Sequence, residues 1–242
     1  MSDTAADSGQ VVAVEVDGDV LVARVDDGKA NAITLGMVAD LHAALDRAEG
    51  AAAIAAVTII GRPGKFSAGF DLSVMKAGIN EARDLLRAGA ELALRLYELP
   101  KPVVLGCTGH ALAMGSILLM ACDTRIGAEG PFKIGLNEVA IGMPVPRFAV
   151  ELARDRLSKR HFVHAVGHAH MFDPVTAVDA GYLDRVVKPS SVESEAVAHA
   201  HELAATVQPG AFALTRTYMR AALADDLRRG MDEDMKLFDV AS

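Results

Sequence analysis

The sequence predicts an α/β fold with a mostly parallel sheet flanked by helices. Three observations carry the prediction. β-rich runs alternate with helix-periodic stretches in βαβ order, AAIAAVTIIG carries no charge and one hydroxyl, at Thr58, as a buried strand can, and helical spacing dominates from Pro146 onward. With 242 residues, 51% of them hydrophobic, the chain is long enough for one sizeable core, as a single large domain or a domain with a small appendage.

Residues 1–10, MSDTAADSGQ, are small, polar and acidic; they lack the basic and apolar regions of a signal peptide and read as a disordered tail. Val11 to Val16 and Val20 to Val25 are β-rich runs separated by Asp-Gly-Asp, which is hairpin chemistry. Thr34 is placed to N-cap a helix that runs through LGMVADLHAALDRAEG and stops at Gly50, before the buried strand in AAIAAVTIIG. A helix over Ala82 to Leu99, a short strand over Pro102 to Leu105, an apolar helix over Met114 to Ala121 and a strand at Thr124 to Ile126 continue the alternation. In the helical remainder, Asp173-Pro174 supplies an N-cap and first residue, and Leu183 to Val187 is a short β run. No Pro/Gly/Ser-rich linker, internal repeat or low-complexity tract interrupts the chain.

Composition excludes several function classes. A net charge of -8, from 32 acidic and 24 basic residues, with no Lys/Arg cluster interleaved with aromatics, argues against nucleic acid. No apolar run reaches the length of a membrane span. Cys107 and Cys122 sit among apolar residues and read as reduced, buried thiols, which fits a cytoplasmic compartment.

Four stretches could carry chemistry. GRPGKFSAGFD, Gly61 to Asp71, has a Gly-Lys pair after a strand, but its spacing is short for a nucleotide loop and Phe66 stands where Ser or Thr is needed. Its small Ser67-Ala68-Gly69 either aims consecutive N–H groups at a ligand oxygen or makes a plain tight turn. GHALAMGS, Gly109 to Ser116, runs into a helix whose first N–H groups form an anion site, and two such sites facing each other would make an oxyanion hole. His161, His164 and His168 share helical spacing without a nearby carboxylate and read as packed or solvated rings rather than metal ligands, and His110 reads as a loop-packing residue. In FKIGLNEVAIGMP, Glu138 is one acid in apolar company; locally it could cap the turn at Gly142, pair with Arg147, or act as a catalyst.

Taken in order, KANAI (Lys29 to Ile33), FSAGFDLSVM (Phe66 to Met75), KPVV (Lys101 to Val104), GHALAMGSILLMACDTRIG (Gly109 to Gly127) and IGLNEVAIGM (Ile134 to Met143) resemble the crotonase, or enoyl-CoA hydratase/isomerase, superfamily over Val11 to Lys188. The resemblance implies a crotonase-like spiral of ββα repeats over residues 11–188 and a helical C-terminal trimerisation region over 189–242. It implies that the backbone N–H groups of Phe70 and Met114 form the oxyanion hole, with Met114 standing where relatives have glycine and therefore needing a negative φ. Lys29, Ala30, Ala68, Gly69, Asp71, Leu72 and Ile117 are the implied acyl-CoA contacts, with coenzyme A as part of the substrate and no separate cofactor. Hydratases of the family use two glutamates; one matches Glu138, whereas the other aligns with Ile117, which can neither hold water nor exchange a proton.

The string IGLNE followed by Gly142 is similar to the Δ3,Δ2-enoyl-CoA isomerases, and PVPRFAVE replaces the Gly-Gly-Thr-Gln-Arg run of the hydratases. An isomerase of fatty-acid metabolism is thus the leading expectation, with an enoyl-CoA hydratase and a non-catalytic acyl-CoA-binding homologue as alternatives. The family further implies a homotrimer or homohexamer. Val139 and Ile141, with Ile117 opposite, are expected to desolvate Glu138 and raise its pKa.

Overall fold

Gly18, at a φ of 58°, lets the chain reverse between β1 (Val12–Asp17) and β2 (Val20–Val25), which pair antiparallel from Val12 with Val25 to Asp17 with Val20. The structure is a computed structural model that describes residues 11–240; the tail expected over residues 1–10 lies outside the described residues. After a two-residue β3 (Ala32–Ile33), Thr34 caps α1 (Leu35–Gly50) by accepting the Met37 N–H at 3.1 Å. The run that follows forms β4 (Ala56–Gly61), buried along its whole length.

Next come β5 (Gly64–Ser67), β6 (Gly69–Phe70), α2 (Leu72–Ala77) and α3 (Ile79–Glu98). Leu99 ends α3 in an extended conformation because Pro100 follows it, so the helix stops one residue before the expected end. β7 (Val103–Cys107), β8 (Gly109–Leu112), α4 (Met114–Ala121), β9 (Thr124–Ala128) and β10 (Ile134–Gly135) complete the alternating part. A 3-10 turn at Val139–Ile141 leads to α5 (Arg147–Arg156), α6 (Phe162–Val166), α7 (Pro174–Ala180), β11 (Arg185–Val187), α8 (Val192–Thr206) and α9 (Pro209–Val240). Asp173 caps α7 as its sequence predicts, accepting the Thr176 N–H at 2.9 Å.

The main sheet has the order β1-β2-β4-β7-β9-β11, and every pair in it is parallel except the opening hairpin. Its side chains alternate between two cores. Leu21, Ala23, Val57, Ile59, Val103 and Leu105 join the larger one with α1, α3 and α4. Val20, Val22, Ala56, Ile60, Val104 and Ile126 face the other way, onto Ala196 and Ala200 of α8. Short strands that sequence periodicity does not reveal form two small sheets, β10-β8-β5 and β3-β6, at the side where the Gly-rich stretches lie.

Helix α9 is fastened across the other helices by buried polar groups. Arg216 and Arg220 both pair with Asp123, just past α4, and donate to the Leu99 and Tyr97 carbonyls at the end of α3. Farther along, the buried Asp234 caps α5, accepting the Arg147 and Phe148 N–H groups at 3.0 and 3.1 Å. The histidines near α6 behave as packing groups: His161 Nδ1 meets Ser158 Oγ at 2.8 Å and His164 stacks edge-on against His168. No group of three metal-binding side chains forms among the described residues. Nor is any helix among them long and apolar enough to cross a membrane.

Candidate active site

One end of the site is a backbone arch. Asp27 accepts the N–H groups of Lys29, Asn31 and Ala32 at 2.7, 2.8 and 3.0 Å, curling the KANAI loop around its carboxylate. Asn31 is fully buried at a φ of 51°, and its side-chain amide donates to the carbonyls of Val25, Lys65 and Phe66. Ser67 Oγ completes the tie, donating to the Asn31 carbonyl at 2.8 Å and accepting the Gly69 N–H at 3.1 Å. Because the Asp71 N–H bonds the Ile33 carbonyl at 3.0 Å, strand alternation turns the preceding Phe70 N–H toward the opposite edge of the β3-β6 pair.

The second donor lies at the start of α4. Ala113 takes the unusual backbone here, φ 48° and ψ -121°, and its carbonyl gathers the Ser116 and Ile117 N–H groups and the Ser116 hydroxyl. Met114 itself is absent from the positive-φ residues, so the position where relatives carry glycine tolerates its side chain. As the first residue of α4, Met114 has an N–H without an intrahelical acceptor.

Missing side chains bring the two donors together. A Cβ on Gly69 would stand 3.0 Å from Ala113 Cβ and 3.6 Å from the Met114 nitrogen, and a Cβ on Gly115 would stand 2.8 Å from Ser67. Gly89 of α3 likewise leaves room for the Phe70 ring and the Met114 methyl, which a Cβ would meet at 2.5 and 3.3 Å.

The acid arrives from β10, which pairs with β8; the Ala113 N–H donates to the Gly135 carbonyl at 3.0 Å, three residues before Glu138. The two structural roles open to Glu138 from local sequence are both unfilled. Its side chain makes no capping bond to the 3-10 turn, and Arg147 pairs instead with Asp226 and Glu233. Glu138 is 8% exposed, and its Oε2 is buried without a hydrogen-bond partner. Burial pushes its pKa above the ordinary carboxylate value, opposed in part by the Glu138 and Asn137 N–H groups.

The expected rise by burial is present, but two of the three side chains expected to cause it are exposed. Val139 and Ile141 are 45% and 57% exposed, because the 3-10 turn carries them outward. Ile117, by contrast, is buried in the main core on α4. Among the described residues only two carboxylates are buried, Glu138 and Asp234, and Asp234 spends both oxygens on the α5 cap.

A cleft of about 460 Å³ opens beside the arch, lined among others by Asp27, Lys29, Ala30, Thr34, Asp71 and Ser73. It unites three of the expected acyl-CoA contacts: Lys29, Ala30 and Asp71. Asp71 caps α2, and its bonds from the Ser73 hydroxyl and N–H hold its carboxyl below the usual range. Ala68, Gly69 and Leu72 stand outside the lining: the Ala68 N–H is taken by the Ala30 carbonyl, Gly69 is buried in the arch, and the Leu72 side chain is exposed. His110 packs against Phe132 and accepts the Lys133 N–H at 3.0 Å, while burial and then Lys65 and Lys133 lower its pKa. Asn31 is the organising residue that sequence reasoning missed; its signal was an asparagine, tolerant of left-handed backbone, inside the first motif.

A family model described as enoyl-CoA hydratase/isomerase matches residues 15–241. Human mitochondrial enoyl-CoA delta isomerase 1 is 31% identical over 235 residues, which cover 95% of this chain and 77% of that protein. A probable enoyl-CoA hydratase of Bacillus subtilis is 30% identical, covering 80% and 74%. The crystal structure of an enoyl-CoA hydratase/isomerase family protein from Pseudomonas syringae is 40% identical and aligns with a TM-score of 0.90, covering 93% of this chain and 97% of that one.

Proposed function

Because the chain belongs to the enoyl-CoA hydratase/isomerase family, we propose that within it the protein shifts the double bond of a 3-enoyl-CoA thioester to the 2-position. The observation that carries this reading is the solitary carboxylate. Glu138 is the buried acid with an unengaged oxygen, and Ile117 stands where a hydratase needs a second glutamate to hold water. The human relative's name points the same way.

The thioester oxygen is held by the Phe70 and Met114 N–H groups, where each donor is worth about 2.7–4 kcal/mol to an enolate-like transition state. Glu138 removes a proton from C2, the charge spreads over a dienolate that runs from the thioester oxygen to C4, and the same carboxyl returns the proton at C4. No water enters the balance. The raised pKa of Glu138 makes it a stronger base and a competent acid once protonated. Lys29, Ala30 and Asp71 face the cleft that would take the coenzyme A portion.

The test follows 3-enoyl-CoA and 2-enoyl-CoA in parallel. Double-bond migration that falls about 10²–10⁴-fold in Glu138→Gln supports the mechanism. Full turnover by that variant would sink it. Water addition without migration would replace the isomerase with a hydratase, an activity named in the Bacillus subtilis relative. Thioester binding with no exchange of α-protons into deuterated water would mark a non-catalytic homologue.

A further inference from the structure

One charged side chain reaches the KANAI loop from outside it and has no part in the proton transfer. Arg62 follows β4, and its carbonyl accepts the Thr108 hydroxyl at 2.7 Å, which ties its backbone to the corner between β7 and β8. The corner is tight, since a Cβ on Gly61 would stand 2.8 Å from Thr108 Oγ1. From this anchor the side chain crosses to the loop. Its Nη1 donates to the Lys29 carbonyl at 2.7 Å, and its Nε stands 3.1 Å from Asp26 Oδ1. One planar fork thus spans two points of the loop.

The peptide held in this way has a second polar end. In the trans peptide joining Lys29 to Ala30 the N–H lies opposite the carbonyl, so fixing the Lys29 oxygen aims the Ala30 N–H away from Arg62. The other N–H groups from Asp26 to Ala32 all have acceptors. The Val11 carbonyl takes that of Asp26, the Asn31 side chain that of Asp27, Asp26 that of Gly28, and Asp27 those of Lys29, Asn31 and Ala32. The Ala30 N–H alone in this loop has none. Lys29 and Ala30 both line the cleft of about 460 Å³.

We infer that Arg62 is a positioning residue for thioester binding: by holding the Lys29 carbonyl and Asp26 together it presents the Ala30 N–H to the coenzyme A portion in the cleft. The inference rests on the reading of the cleft given above. Arg62 contacts neither Glu138 nor the Phe70 and Met114 donors, so its effect falls on ground-state binding and not on the chemical step.

The experiment compares Arg62→Met with the wild-type protein on two substrates, 3-enoyl-CoA and the same acyl group on N-acetylcysteamine, which leaves the cleft empty. KM for the coenzyme A thioester should rise about ten-fold with kcat little changed, and kcat/KM for the short thioester should move little. Arg62→Lys keeps the charge but lacks the fork, so it should restore little of the loss. Full restoration would mean that the charge itself acts on the substrate and would overturn the positioning role. An equal loss on both thioesters, or an unchanged KM, would overturn it as well. Should Arg62→Met not fold, Asp26→Asn, which loosens the second tie with Arg62 in place, must weaken binding in the same direction; no change again overturns the inference. Calorimetry with coenzyme A alone reads the same loss without turnover, so it holds for a hydratase or a non-catalytic homologue too. Failure of the cleft reading would show separately, as a wild-type protein that does not bind coenzyme A, and the inference would fall with it.

Discussion

At the Phe70 and Met114 end of the site the proposed reacting groups are main chain, held by buried hydrogen bonds from Asn31 and Ser67, an unusual backbone at Ala113 and close approaches at Gly69, Gly89 and Gly115. At the Glu138 end the reacting group is a side chain on a 3-10 turn whose neighbours Val139 and Ile141 face outward, and its Oε2 is tied to nothing. The difference follows from what each group has to do. A donor to a forming oxyanion works by being immovable, so many contacts fix it. A base that takes a proton at C2 and returns it at C4 needs an oxygen that no other contact holds.

That contrast can be broken from either side. The largest effect belongs to the acid: Glu138→Gln should lose about 10²–10⁴-fold in isomerisation while thioester affinity, measured by calorimetry, holds. At the arch, Asn31→Ala should cost about 2–4 kcal/mol in urea unfolding, since three carbonyls lose their donor and the replacement must adopt φ 51°. Gly89→Ala is subtler. Helix propensity gains about 1 kcal/mol, but the new methyl displaces the Phe70 ring, so kcat/KM should fall roughly ten-fold with Tm nearly constant. A clear fall in Tm as well would mean that the methyl disturbs the packing of α3 and not the arch alone.

The pH dependence sharpens the comparison further. Only the ionised Glu138 can abstract a proton, so the acid limb of kcat/KM should inflect above the ordinary glutamate value of about 4.3. The folded protein holds that proton to higher pH than the unfolded chain does, so stability declines as pH rises from the unfolded pKa through the folded one. Glu138→Gln should therefore be the more stable protein at neutral pH, with an advantage that vanishes at low pH in thermal scans. The smallest effect is expected at Ala113→Gly, which relieves the unusual φ and should add about 1 kcal/mol of stability without changing the rate.

What could be read from sequence was whatever local chemistry determines. The Asp-Gly-Asp hairpin, the Thr34 and Asp173 caps and α4 over Met114–Ala121 all stand where residue type alone places them. The strands β5, β6, β8 and β10 were illegible because two to four residues, half of them glycine in β6 and β10, carry no periodicity; pairing with distant segments makes them strands. Val139 and Ile141 were misjudged for a related reason. Hydrophobicity predicts burial only on average, and here the turn sets which way the side chains point. Asn31 donates to carbonyls 34 and 35 positions away, which no local pattern encodes.

Helix α9 gives the molecule an order of assembly. Asp123 finds its two arginines 93 and 97 residues later in the chain. At about 5–20 residues per second, a growing polypeptide exposes that carboxylate for roughly five to twenty seconds before either partner is synthesised. The segment that ends α4 is thus left with an unmatched charge on the ribosome, and the docking of α4 against α3 is completed by a helix made long after both. A synonymous change that slows translation between these positions should lengthen the interval in which a nascent chain is open to protease, although the finished protein would be identical.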